Sequence, residues 1–127
     1  MMRRLVAMLF MFALASPVAF GESHCRVQLT RGWGQATGKG TIVMKKDTKR
    51  CGRPLHSEPQ YGIPVDEIKV LTAPQNGTAA IEVPNFFYTP RAGFTGSDRF
   101  ELTAEGPSQG GRQRIKMRGE ITVQVNP

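Results

Sequence analysis

The stretch Ile115 to Val125 most constrains what this chain can fold into. Ile115, Met117, Gly119, Ile121, Val123 and Val125 fall at every second position, with Lys116, Arg118, Glu120, Thr122 and Gln124 between them. Successive side chains of an extended strand point to opposite faces, so one face is apolar and the other polar over eleven residues. That is a half-buried strand, and it requires a sheet with one face covered.

The same period recurs upstream. Cys25, Val27 and Leu29 share a face of a short candidate strand within residues 22–30, and Thr41 to Lys45 is a β-branched run. Ile68, Val70 and Leu71 open a strand after Glu67, and Ala79, Ile81 and Val83 alternate on the next. Phe86, Phe87 and Tyr88 form another, ended by Pro90, and Phe100 and Leu102 alternate after Asp98. Pro74-Gln75-Asn76-Gly77 reads as a tight reversal between strands, because Asn-Gly tolerates positive φ.

Three stretches read as connections. Arg31 to Gly40 holds four glycines and reads as a loop or a loosely bulged hairpin. Lys46 to Pro64, punctuated by Pro54, Pro59, Gly62 and Pro64, is expected to wrap a sheet edge. Glu105 to Arg112, with three glycines, reads as a flexible turn. Gly119 in the buried row predicts a bulge or a close backbone approach. No segment beyond the N-terminus sustains a 3.6-residue period, so the domain is expected to be all-β with about seven strands.

The N-terminus reads as an address. Arg3 and Arg4 precede the apolar run Leu5 to Ala15, and Ala19-Phe20-Gly21 places small residues before a cleavage point at Glu22. Eleven apolar residues are too few for a membrane span, which needs about 20. Residues 1–21 are therefore expected to be a signal peptide, and 22–127 a single exported domain, periplasmic or extracellular, with no transmembrane segment after cleavage. Glu22-Ser23-His24 before Cys25 does not fit a lipidation site.

The 106 residues that remain make a modest core, for which an added constraint matters. Cys25 and Cys51 are the only cysteines, and an oxidising compartment makes a structural disulfide the expected use. They lack Cys-x-x-Cys spacing, and a zinc site would need two further ligands where only His24 and His56 are on offer.

Patterns for other chemistry fail at their defining positions. Gly38-Lys39 is followed by Gly40 rather than Ser or Thr, and Trp33 stands where a phosphate-binding loop needs its first glycine. Gly32-Trp33-Gly34 is followed by Thr37 where a dinucleotide fingerprint needs glycine. No Gly-x-Ser-x-Gly elbow is present, and His56 has only sequence neighbours, Ser57 and Glu58, as partners. The carboxylates Asp66-Glu67 and Glu101/Glu105 could in principle serve glycoside hydrolysis, but a small sandwich leaves little room for a substrate cleft. No cofactor, no metal and no catalytic residue is expected.

The run Pro74-x-Asn76-Gly77-Thr78, Phe87-Tyr88-Thr89-Pro90 and Gly93-Phe94-Thr95-Gly96-x-Asp98-x-Phe100 resembles the bacterial Ig-like and cadherin-like modules of secreted proteins. The match covers roughly residues 66–125, and Met44 to Gly52 is similar to the cysteine-containing first half of small exported members. The resemblance implies an Ig-like (cadherin-like) antiparallel β-sandwich with a structural motif of Asn76, Gly77, Tyr88, Pro90, Gly93, Phe94, Gly96, Asp98 and Phe100. Read physically, Gly93 and Gly96 supply positive φ at a corner, while Phe94 turns inward and Phe100 enters the core. Asp98 accepts backbone N–H bonds within its turn, and Tyr88 packs its ring and bonds its hydroxyl to backbone. Calcium needs about six to eight oxygens, and the acidic residues near Asp98 are too sparse for it.

Charge supplies the remaining lead. Loss of Arg3 and Arg4 takes 17 basic residues to 15 against 10 acidic, a net +5. Lys45, Lys46, Lys49, Arg50 and Arg53 crowd the segment around Cys51, and Arg112, Arg114, Lys116 and Arg118 alternate along the last strand. These nine are the candidate anion-binding residues, against the plainer reading of a solvated face that protects the sheet from edge pairing. Without interleaved aromatics, nucleic acid is not the expected target. The expectation is a non-catalytic binding or envelope-structural module. One alternative is an electropositive module for anionic envelope polymers or lipids, another a small secreted hydrolase, and a third is pairing with another β-module through an exposed edge.

Overall fold

The computed structural model describes residues 24–30 and 37–127. The predicted signal peptide and residues 31–36 of the glycine-rich segment lie outside the described residues. The described chain is all-β: ten strands, one short 3-10 turn at Pro59–Tyr61 and no α-helix among the described residues. The strands are β1 (Cys25–Leu29), β2 (Thr37–Lys45), β3 (Cys51–Pro54), β4 (His56–Glu58), β5 (Ile63–Pro64), β6 (Glu67–Thr72), β7 (Gly77–Glu82), β8 (Asn85–Pro90), β9 (Gly96–Pro107) and β10 (Arg114–Asn126).

Five strands form one sheet in the order β1-β2-β10-β9-β6, three form another in the order β3-β8-β7, and β4 and β5 make a short ribbon. The count exceeds the predicted seven because the proline-punctuated stretch 46–64 folds into β3, β4 and β5 rather than wrapping an edge as coil. The predicted antiparallel arrangement also fails at one pairing. β2 runs parallel to β10 from Thr37↔Arg118 to Lys45↔Asn126, so the large sheet is mixed. Alternation along a strand carries no information about the direction of its neighbour, and this pairing joins opposite ends of the chain.

The alternation in β10 is realised as read. Met117, Gly119, Ile121, Val123 and Val125 are buried, and the residues between them face outward. Gly119 makes no bulge, since the register with β9 and β2 runs through it unbroken. Ile42 and Met44 of β2, Phe100, Leu102 and Ala104 of β9, and Phe86 and Tyr88 of β8 complete a core shared by the two larger sheets. Phe100 stands at its centre, its ring 6.0 Å from Tyr88 and 6.2 Å from Phe86. Burying each such side chain contributes about 1.5–3 kcal/mol.

Two expected loops are strand instead. Residues 37–40 begin β2, where a Cβ on Gly40 would lie 2.6 Å from Ile121 Cδ1 and 2.8 Å from Leu29 Cδ2. The glycine there makes room for neighbouring side chains. β9 runs on to Pro107, so the turn begins at Ser108 rather than Glu105. Val83, expected on a strand, is exposed in the turn between β7 and β8.

Candidate functional site

The best-built polar feature lies where the chain crosses between sheets. Asn76-Gly77 was expected to turn a hairpin, but β6 and β7 belong to different sheets and do not pair. Neither residue has positive φ. Gly77 is needed for space: a Cβ there would meet Thr89 O and stand 2.7 Å from both Cζ and Oη of Tyr88.

Asp98, at the start of β9, fastens this crossing. Its Oδ1 accepts the backbone N–H groups of Gln75 (3.0 Å) and Arg99 (2.8 Å). Oδ2 accepts the N–H of Asn76 (2.9 Å) and the phenol of Tyr88 (2.8 Å). The carboxylate thus ties β9 of the large sheet to the crossing segment and to β8 of the small one. Two details differ from the sequence reading. Asp98 braces a segment more than twenty residues away as well as its own turn, and the Tyr88 hydroxyl bonds a carboxylate rather than backbone. A local motif could not show either partner, because both bonds exist only once the sheets are apposed.

The electrostatics follow from that geometry. Burial raises the carboxyl of Asp98, but four donors outweigh it and hold the group below its ordinary value. Burial and the bond to Asp98 push the Tyr88 phenol upward, which keeps it a donor. Gly93 and Gly96 do take positive φ, at +76° and +128°, and Phe94 packs half-buried against the core. Pro90 closes β8, and Phe100 is fully buried.

The basic residues separate into two groups. Arg118 lies eight residues before Asn126, the residue paired with Lys45, a strand distance of roughly 26 Å. Within the β10 group, Arg114 contacts Asp66 (2.6 Å) and Glu105 (3.1 Å), and Arg118 contacts Glu101 (3.3 Å). Arg99 likewise meets Glu120 at 3.3 Å. Arg112 lies in the turn before β10, outside the strand, and Lys116 is exposed without an ion-pair partner among the described residues. Two of the four cations, Arg114 and Arg118, therefore belong to a charge lattice with carboxylates of β9 and with Asp66 just before β6. The sequence held a signal for this: Arg99, Glu101 and Glu105 keep the same period two as Arg114, Arg118 and Glu120.

The other group keeps more open charge. Lys45, Lys46 and Lys49 are exposed and have no ion-pair partner among the described residues. Lys46 N–H donates to the Asn126 carbonyl (2.7 Å), which fixes the turn that presents them. Arg50 lies over the Phe87 ring at 3.9 Å and contacts Glu82 at 3.1 Å, and Arg53 is half-buried beside Val27 and Leu29.

An open groove of about 580 Å³ runs over the outer face beside Asp98, lined by hydroxyl and amide side chains such as Thr41, Gln75, Asn76, Thr122 and Gln124. Neither described histidine lines it. The His56–Ser57 pairing does not form, since neighbours on a strand face opposite ways and Ser57 Oγ donates to Pro107 O at 2.7 Å. Among the described residues, no three His, Cys, Asp or Glu side chains come together as a metal site.

Cys25 and Cys51 form the expected disulfide, with Cα atoms 5.5 Å apart, linking β1 of the large sheet to β3 of the small one. No helix among the described residues is long and apolar enough to cross a membrane. No protein-family model matches this chain, and no curated protein matches its sequence.

Proposed function

We propose that this protein is exported, folds as an Ig-like β-sandwich, and serves the cell envelope as a non-catalytic binding or structural module. The observation that carries the reading is how the two sheets are fastened together. The Cys25–Cys51 disulfide joins them near β1, and the Asp98 carboxylate joins them at the crossing before β7. Disulfides persist in oxidising compartments, so the first of these fits export. The second commits a buried carboxylate to holding backbone and a buried phenol to holding that carboxylate. Intact mass spectrometry of protein from the periplasm tests the reading. The expected mature chain starts at Glu22 and is alkylated at two cysteines only after reduction. Retention of residues 1–21, or two freely alkylated thiols, would overturn it.

A second reading rests on Lys45, Lys46 and Lys49, exposed cations at one end of the large sheet that have no ion-pair partner among the described residues. They suit an anionic surface, through long-range attraction rather than a shaped pocket. Replacing all three with glutamine is expected to weaken co-sedimentation with anionic phospholipid vesicles by about 100-fold at low salt, at roughly 1 kcal/mol per charge. Substituting Arg114 and Arg118 in the same way is expected to weaken it less, because these residues lie roughly 26 Å or more along the sheet from the three lysines. Equal losses from both sets would sink the assignment.

A further inference from the structure

Among the described residues, each of the two larger sheets ends in strands with one open side: β1 and β6 in the large sheet, β3 and β7 in the small one. Three of these carry devices that discourage another strand. β1 has five residues, with Arg26 at its second position and Cys25 held by the disulfide. β6 is interrupted, its register slipping between Val70 and Thr72. β3 has four residues, including Arg53, and ends at Pro54. β7 has none of them. Its six residues pair with β8 without a break, it contains no Lys, Arg or Pro, and its one charge, Glu82, is ion-paired with Arg50.

The register also shows which backbone groups are open. Arg91 N–H donates to the Asn76 carbonyl, which makes Gly77 and Pro90 a pair without mutual hydrogen bonds. Pairs alternate from there, so Thr78, Ala80 and Glu82 exchange bonds with β8. The N–H and C=O groups of Gly77, Ala79 and Ile81 therefore point to the open edge. Glycine and alanine at positions 77, 79 and 80 let another backbone approach closely.

We propose that β7 pairs antiparallel with β7 of a second copy of this chain, about a two-fold axis at Ala79, joining two three-stranded sheets into one. The choice of a second copy rests on self-complementarity. In this register Gly77 lies opposite Ile81 of the second copy and Thr78 opposite its Ala80, so every pair shares a face. Glu82 falls opposite Asn76, and no like charges meet. Residues 77, 79 and 81 of both copies would form about six ladder hydrogen bonds. The inference goes beyond the binding role proposed above and does not depend on it.

An edge contact is smaller than a standard interface, so the association is weak, with a Kd on the order of 10 µM to 1 mM. The net positive charge of the chain opposes it, and salt screens that repulsion. Added salt is therefore expected to strengthen pairing, the reverse of its effect on anion binding. Sedimentation equilibrium of the purified oxidised protein over that concentration range, at low and high salt, is the test.

The expected result is a mass rising toward the dimer with concentration, more steeply at high salt. Ala79→Pro removes an open-edge N–H and leaves the β8 ladder whole, and should weaken association by about 10-fold or more. Ala80→Lys, at an exposed position beside the same edge, should do the same without altering the backbone. A parent monomeric throughout, or folded variants that associate as the parent does, would overturn the proposal. So would a parent that stays monomeric but takes up an added extended peptide, which would assign the edge to a strand of another protein.

Discussion

Replacing Asp98 with asparagine is expected to destabilise the fold by about 2–3 kcal/mol, although the two side chains have nearly the same shape. Every group facing the carboxylate is a donor in this structure: three backbone N–H groups and the Tyr88 phenol. An amide must turn its NH2 toward some of them. Tyr88 can reverse its hydroxyl and accept, but a backbone N–H cannot. At least one buried N–H is left facing another donor, at the cost of an unsatisfied polar group. Tyr88→Phe is expected to cost less, about 1–2 kcal/mol, because Oδ2 keeps its bond from Asn76. Urea-denaturation midpoints of the two variants and the parent decide it. An asparagine variant within about 0.5 kcal/mol of the parent would remove Asp98 from its central place.

The same geometry sets a pH dependence. The folded-state pKa of Asp98 lies below its ordinary value, so between the unfolded and folded values the unfolded chain binds more protons. The stabilisation is fully present above about pH 4–5 and is lost as pH falls through the folded value. The asparagine variant has no such proton to take up. Its stability is expected to fall less steeply than the parent's as the solution is acidified. Parallel acid limbs would contradict this.

Reducing the disulfide, or replacing both cysteines with serine, is expected to cost about 3.5 kcal/mol, the loop-closure term for the observed separation of 26 residues. On a domain of this size that corresponds to a fall in Tm of roughly 15 °C. The structural consequence is local. β1 is a five-residue edge strand, held by its pairing with β2 and by this bond to β3. Faster amide hydrogen exchange in residues 25–29 and the facing part of β2 should accompany the loss. An unchanged Tm in reductant, with both thiols shown to be free, would mean that packing alone holds β1.

How far the sequence could be read depended on the range of the interaction. The burial of β10 was legible residue by residue, because alternation is a property of one strand in contact with one core. Cys25 and Cys51 were legible as a pair because no other cysteine competed. The two glycines at the Phe94 corner were legible because positive φ is a local demand. The pattern of Arg112 to Arg118 was legible only in part. Period two shows which residues share a face but not which carboxylates a neighbouring strand brings beside them, and β9 brought Glu101 and Glu105.

The sequence by itself determined the all-β class, the apolar row of β10, the stapling cysteines and the residues able to form the Phe94 corner. Each depends on backbone periodicity, on φ, or on the count of one residue type. Only the tertiary structure decided that β2 lies parallel to β10, that Asn76-Gly77 crosses between sheets, and that Asp98 bonds that crossing and Tyr88. It also singled out β7 as the unguarded edge. All four depend on which distant segments lie side by side, and that choice is made by burial of the shared core around Phe100.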